Sequence, residues 1–393
     1  MLRALLTVLA YAAFAGAQQA STTPAQSAAG SWSGFQIQSA DGQSRLQVGA
    51  EIMNDWAFFF GGDKTLPDRL QDAPDGTEFR EAILGVSGQL YGRLKYKAAY
   101  GFTGGQLLFK DVFLSMDHLP AAGTLRLGQF REPFSIEEVT STSSVTFMER
   151  SLINPFAPSR NVGFALNNAV LDQRATWAAG VFKRSSSGGS ASGDGNYDVA
   201  GRVTFAPIYG DGGRRIVHLG VSGVLRRQGI PTVALKVLPE SHLAPAWISA
   251  SIPADQNNVD AEAAVVAGPV SLQGEYLRSM AKGDKTFTGF YVFASWFLTG
   301  ESRPYGRAVG VFGQVKPRAN FGEAGQGALE VAARYSQIDM TDAVAAGGKM
   351  RDVTLGLTWY LYPQARVMAN YILSDLVGVG TAHTVETRFQ VAF

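Results

Sequence analysis

Ionised side chains at every second residue are the first feature of this sequence that could act on a solute. Arg93, Lys95 and Lys97 share one parity. In an extended chain that parity sets three cations on one face. Such a stripe attracts anions and raises their local concentration; it makes and breaks no bonds. The competing reading is that the three cations are simply solvated, or paired with carboxylates such as Glu51 or Glu81. A second charged group falls between Arg131 and Arg160, where Arg131, Glu132, Glu137, Glu138, Glu149 and Arg150 are mixed with Phe134, Ile136 and Phe156. Bond-making constellations are missing from the sequence. It has no Walker A loop, no H-E-x-x-H and no G-x-S-x-G elbow. His118, His218, His242 and His383 are scattered without metal-ligand spacing, and the adjacent Glu137 and Glu138 read as ordinary loop charges. With no cysteine, thiol catalysis and most structural zinc sites are excluded. No catalytic residue, cofactor or metal is expected, and a formal net charge of +1 gives no field for nucleic acid.

The elements that would position these charges are strands. Residues 1–17 read as a signal peptide: Arg3 is followed by the apolar run Ala4 to Phe14, and Ala15-Gly16-Ala17 is a small-residue cleavage site that sets the expected start of the mature chain at Gln18. Residues 18–43 read as a flexible leader rich in Ala, Ser, Thr, Gln and Gly, and 44–393 as one β-barrel domain. No later run reaches the roughly 18 apolar residues a spanning helix needs. Short alternating runs take its place. Leu46, Val48, Ala50 and Ile52 alternate with Arg45, Gln47, Gly49 and Glu51. Val353, Leu355, Leu357, Trp359 and Leu361 alternate with Thr354, Gly356, Thr358 and Tyr360. One such face can meet lipid and the other water. The segment Phe287 to Leu298 is apolar on both faces and fits either register. Pro363-Gln364 is short enough for a periplasmic turn, whereas Gly61 to Thr77, Ser185 to Asn196 and Asp339 to Lys349 read as long external loops. Sixteen strands of about ten residues would use about 160 residues, which the chain accommodates.

The fold class expected is therefore all-β: a transmembrane antiparallel barrel of about sixteen strands. The stretch Arg131 to Arg160 is long, lacks alternation and carries Pro133, Pro155 and Pro158. Its apolar anchors should pack on a wall, which places it at least partly inside the barrel as the constriction. A surface flap over the mouth competes with that placement.

A series of motifs runs along the chain: Phe79-Arg80-Glu81-Ala82, Lys110-Asp111-Val112-Phe113-Leu114, the run Leu125 to Phe134, Phe147-Met148-Glu149-Arg150, Arg160-Asn161-Val162-Gly163, Leu298-Thr299-Gly300-Glu301, Val315-Lys316-Pro317 and Leu355 to Tyr360. In this order they resemble the phosphate-selective porin O and P family. The terminal Phe393, closing an alternating strand, resembles the signal read by the barrel assembly machinery. The resemblance implies a homotrimer in the lipid of the bacterial outer membrane, with one aqueous pore per subunit and the stretch after Phe130 folded inward. It also implies a ladder of arginines and lysines in phosphate-selective members, and three of those positions are altered here, to Glu51, to Arg80 followed by Glu81, and to Ser143. By parity Arg80 falls with Ala82 and Leu84, so it reaches the pore only from the strand's end. The pore-lining candidates are Arg80, Glu81, Glu51, Arg93, Lys95, Lys97, Arg131, Glu137, Glu138, Glu149 and Arg150. The expected function is passive diffusion of small hydrophilic solutes or ions, anions such as phosphate among them. A barrel-embedded enzyme, a plugged adhesive barrel and a soluble β-sandwich are the alternatives.

Overall fold

The computed structural model describes residues 35–393 apart from 72, 194–195 and 323–324. The predicted signal peptide and residues 18–34 of the leader lie outside the described residues. The end of the leader departs from the flexible expectation: Gln36–Gln38 forms a short strand paired with Arg45 to Gln47.

That strand is the seventeenth member of a sheet whose other sixteen strands close on themselves. The first eight are Arg45–Phe60, Gly76–Leu90, Leu94–Gly101, Leu108–Leu119, Gly123–Arg131, Arg160–Val170, Ala175–Lys183 and Tyr197–Gly210. The second eight are Arg215–Arg227, Gln256–Ala267, Val270–Ala281, Lys285–Phe297, Ala328–Asp339, Lys349–Tyr362, Ala365–Leu376 and Gly380–Ala392. Each pairs antiparallel with its successor, and the last pairs with the first from Glu51↔Ala392 to Phe60↔His383. Phe393 extends the seam by exchanging both backbone hydrogen bonds with Ala50 at 2.9 Å. Closure satisfies the backbone without water, which is the condition for crossing hydrocarbon.

Alternation sets the two faces. Leu355 and Leu357 are 50% and 45% exposed, whereas Thr354 and Thr358 are 0% and 3%. The apolar set thus points outward and the polar set, with Tyr360, inward, as the sequence predicts. The ambiguous run Phe287 to Leu298 resolves the same way: Phe287, Tyr291, Phe293 and Phe297 are buried, and Val292 and Trp296 are exposed. Its inner face is apolar because protein, not water, packs against it.

One inward segment is expected and three are found. At one end the connections between strands are two to four residues long, as in Gly268-Pro269 and Pro363-Gln364, with a single exception. The long loops, including residues 61–75, 132–159, 184–196, 228–255 and 340–348, lie at the other end. Residues 132–159 run into the lumen. Residues 228–255 also turn inward, as a hairpin of Thr232–Val237 and Ile248–Pro253 that buries Val237, Ile248 and Ile252. The exception at the short-turn end is residues 298–327, where Tyr305–Gly306 pairs with Val311–Phe312 and the latter packs on Ile136, Ile216, Ala264 and Val266 inside the barrel. The lumen is therefore narrowed from both ends.

Candidate permeation site

The site begins with a departure from strand regularity. Met53 pairs with Glu81 and Asn54 with Phe79, which leaves Arg80 unpaired at a bulge. Strict alternation would put Arg80 outside with Leu84. The extra residue re-aims it, so Arg80 and Glu81 both turn inward. Arg80 then grips Glu149 of the inward loop with two hydrogen bonds of 2.8 and 3.0 Å. On the closing strand, Arg388 donates to both carboxylate oxygens of Asp55 at 2.7 Å, to the Met148 carbonyl at 2.6 Å and to Glu149 at 2.8 Å. Burial alone would raise the Glu149 carboxyl, but Arg80 and Arg388 outweigh it and hold it well below the usual carboxylate range.

Other wall residues fix the rest of the loop. Arg366 donates to the carbonyls of Val145 and Thr142 at 2.9 and 3.3 Å. Glu275 accepts the backbone N–H groups of Ile136 and Glu137 at 3.1 and 3.0 Å. Glu137 lies 3.4 Å from Arg334 and accepts from Ser151; burial pushes its carboxyl up against both partners. Glu138 sits between Arg131 and Arg150, each at 3.5 Å, and both arginines also donate to the Thr140 carbonyl. From the 228–255 hairpin, Glu240 accepts from Arg334, Ser336 and Thr354. Carboxylate oxygens of Asp260, Glu262 and Glu275 converge within 4.8 Å. Glu262 is held by the wall residues Arg202 and His218, and Glu275 by the loop amides and Tyr291, so Glu275 is the member of the trio that anchors the loop.

Among these segments lies a cavity of about 200 Å³ along the wall from Arg45–Phe60 to Tyr197–Gly210. Of the sequence-predicted set, Glu51, Glu81, Lys97 and Arg131 line it. Arg80, Glu137, Glu138, Glu149 and Arg150 instead tie the loop to the wall or to itself. Arg93 corrects the cationic stripe: it lies exposed in the turn before Leu94, bonded to the carbonyl of His118. Lys95 ion-pairs with Asp117, and Lys97 lies 3.1 Å from Asp111. Carboxylates thus answer the stripe, although they are Asp117 and Asp111 rather than Glu51 or Glu81.

Sequence reasoning missed Lys110, Asp111, Arg126, Arg160 and Arg202 on the same cavity. Lys110 meets Glu81 at 2.6 Å, Asp111 meets Arg160 at 2.7 Å and Arg202 meets Glu262 at 2.5 Å. Parity could have found some of them. Arg126 alternates with Leu125 and Leu127, and Asp111 with Val112 and Leu114. The arrangement can pass a small hydrated solute between fixed charges of both signs.

A closed barrel, apolar outside and charged within, narrowed by an inward loop, belongs to the outer-membrane porin class. Within that class the model of the phosphate-selective porin O and P family matches residues 48–393, and the chain belongs to this family. Porin O of Pseudomonas aeruginosa is 24% identical over 384 residues, covering 86% of this chain and 85% of that one. An uncharacterized protein of Caulobacter vibrioides is 28% identical over 336 residues, covering 80% of this chain and 66% of that protein. The fold is shared with the outer-membrane channel DcaP of Acinetobacter baumannii, at TM-score 0.57 and 11% identity over 92% of this chain and 99% of that one. It is shared too with the trimer form of OmpT of Vibrio cholerae, at TM-score 0.56 and 12% identity over 89% and 99%. Family and fold place the protein in the bacterial outer membrane.

Proposed function

We propose that this porin is a passive conduit, not an enzyme, with at most a mild preference for anions and no tight site for phosphate. The observation that carries this reading is the pairing of most cavity cations with carboxylates: Lys110 with Glu81, and Lys97 and Arg160 with the single Asp111. Tight capture of phosphate needs several converging donors. Here Glu51 and Glu81 share the cavity with the cations. Screening acts over about 8 Å at physiological salt, so carboxylates at a constriction repel a passing dianion. Ser143 brings no charge to the loop; its hydroxyl is engaged with Ser141 at 2.9 Å. The reading includes a homotrimer in outer-membrane lipid, delivered by the barrel assembly machinery through Phe393. Planar-bilayer recording across a salt gradient tests the conduit. Stepwise conductance with a small reversal potential is expected. Block of chloride current by micromolar phosphate would falsify the absence of a tight site.

A further inference from the structure

We infer that the lumenal cavity holds a subsite for organic monoanions with an aromatic or branched apolar body, centred on Arg126. The inference rests on the conduit reading and adds a ligand class to it. Arg126 is the cavity cation that differs from its neighbours. Its Nε has no hydrogen-bond partner, and no carboxylate lies within ion-pair distance of it among the described residues. Lys97, Lys110, Arg160 and Arg202 each have a carboxylate partner. Instead, the Arg126 guanidinium lies 4.3 Å from the ring centre of Phe113 and 5.3 Å from that of Phe130.

Rings against a guanidinium engage its faces and leave its N–H edge for a planar acceptor. The platform is itself packed, since Phe130 meets Phe113 at 6.1 Å and Phe182 at 5.3 Å, both edge-on. The lining of the same cavity adds apolar side chains to its charged ones: Ala165 of the barrel, Val139 of the inward loop and Val309 of the segment that enters from the opposite end.

Solutes differ in what they gain here. A carboxylate is satisfied by one bidentate guanidinium, and its apolar body covers ring and valine surface. Acetate offers the same head without the body. Inorganic phosphate wants further donors, and its second charge meets Glu51 and Glu81 in the same cavity. The geometry therefore ranks benzoate above acetate and above phosphate.

The test uses the full-length protein in planar bilayers, with chloride current recorded while benzoate, acetate or phosphate is added. Benzoate should block at a concentration about tenfold lower than acetate, the ratio given by about 1.4 kcal/mol of added apolar contact. Arg126→Gln should abolish the difference between benzoate and acetate. Phe130→Leu should shrink it while a guanidinium remains. Retention of the folded migration on an unboiled gel identifies variants that form the barrel, and Phe113→Leu replaces any that do not. Equal block by benzoate and acetate in the unaltered protein would overturn the subsite, as would an intact benzoate preference in Arg126→Gln. Complete absence of chloride current would instead overturn the conduit reading, and the subsite with it.

Discussion

At the scale of single residues, Glu132 shows how burial writes pH dependence into the loop. It stands where Gly123–Arg131 gives way to the inward segment, with no solvent exposure. Asn161 donates to one of its oxygens at 2.7 Å and the other has no partner. Burial first, then the nearby Asp198, raises its carboxyl from the ordinary 4.5 to about 8, against the opposing pull of Asn161 and Arg226. The folded state therefore keeps this proton after the unfolded chain has lost it. The penalty is nil below pH 4.5 and grows until about pH 8. Glu132→Gln mimics the protonated form. Its midpoint for heat-induced loss of compact gel migration should match the parent's near pH 4 and exceed it increasingly toward pH 8. A constant offset would show that the carboxyl is ionised throughout. On the outer face, Leu357→Arg near mid-strand should cost roughly 2–4 kcal/mol in urea unfolding. A neutral effect there would contradict the outward facing.

At the scale of elements, the inward loop is fastened by its charged residues to several strands, and its middle is held mainly through carbonyls. Deleting Ser141 to Thr146 removes the Thr142 and Val145 carbonyls that Arg366 grips and part of the cavity boundary. Single-channel conductance should rise; an unchanged value would count against a constriction. What could be read from sequence follows from what alternation encodes. Thr354, Leu355, Leu357 and Thr358 announce their faces because lipid and lumen demand opposite chemistry. The loop was legible from its prolines, its mixed charges and the missing alternation, although its charges face the wall more than water. Arg80 was misassigned by parity because a bulge is a property of two strands, and one strand's sequence does not display it. Residues 298–327 were missed for a different reason. Their placement at the short-turn end depends on counting every strand before them, and the two-sided apolar run Phe287 to Leu298 concealed that an inner face there meets chain instead of water.

At the scale of the whole molecule, a near-neutral chain lines its cavity with an excess of cations: Lys97, Lys110, Arg126, Arg131, Arg160 and Arg202 face only Glu51, Glu81 and Asp111. The balance is adjustable at the positions where the family's cationic ladder is altered. Replacing Glu51 and Glu81 together with Arg should shift the reversal potential toward anion selectivity. The change should fade as salt rises, because screening shortens the reach of fixed charge. An unaltered reversal potential at low salt would show that ions bypass these two positions.

The seam between Arg45–Phe60 and Gly380–Ala392 carries a consequence for assembly. Arg388 of the last strand holds Asp55 of the first and, with the same guanidinium, Met148 and Glu149 of the inward loop. The loop thus acts as a clasp whose tongue is threaded through the ring it fastens. First and last strands lie far apart along the chain, so their pairing is the slowest contact to form. A tongue left outside when the ring shuts would be locked out behind a completed wall. Seating the loop and closing the cylinder therefore belong to one cooperative step, and a chain with its clasp residues removed should linger as an open, protease-sensitive sheet.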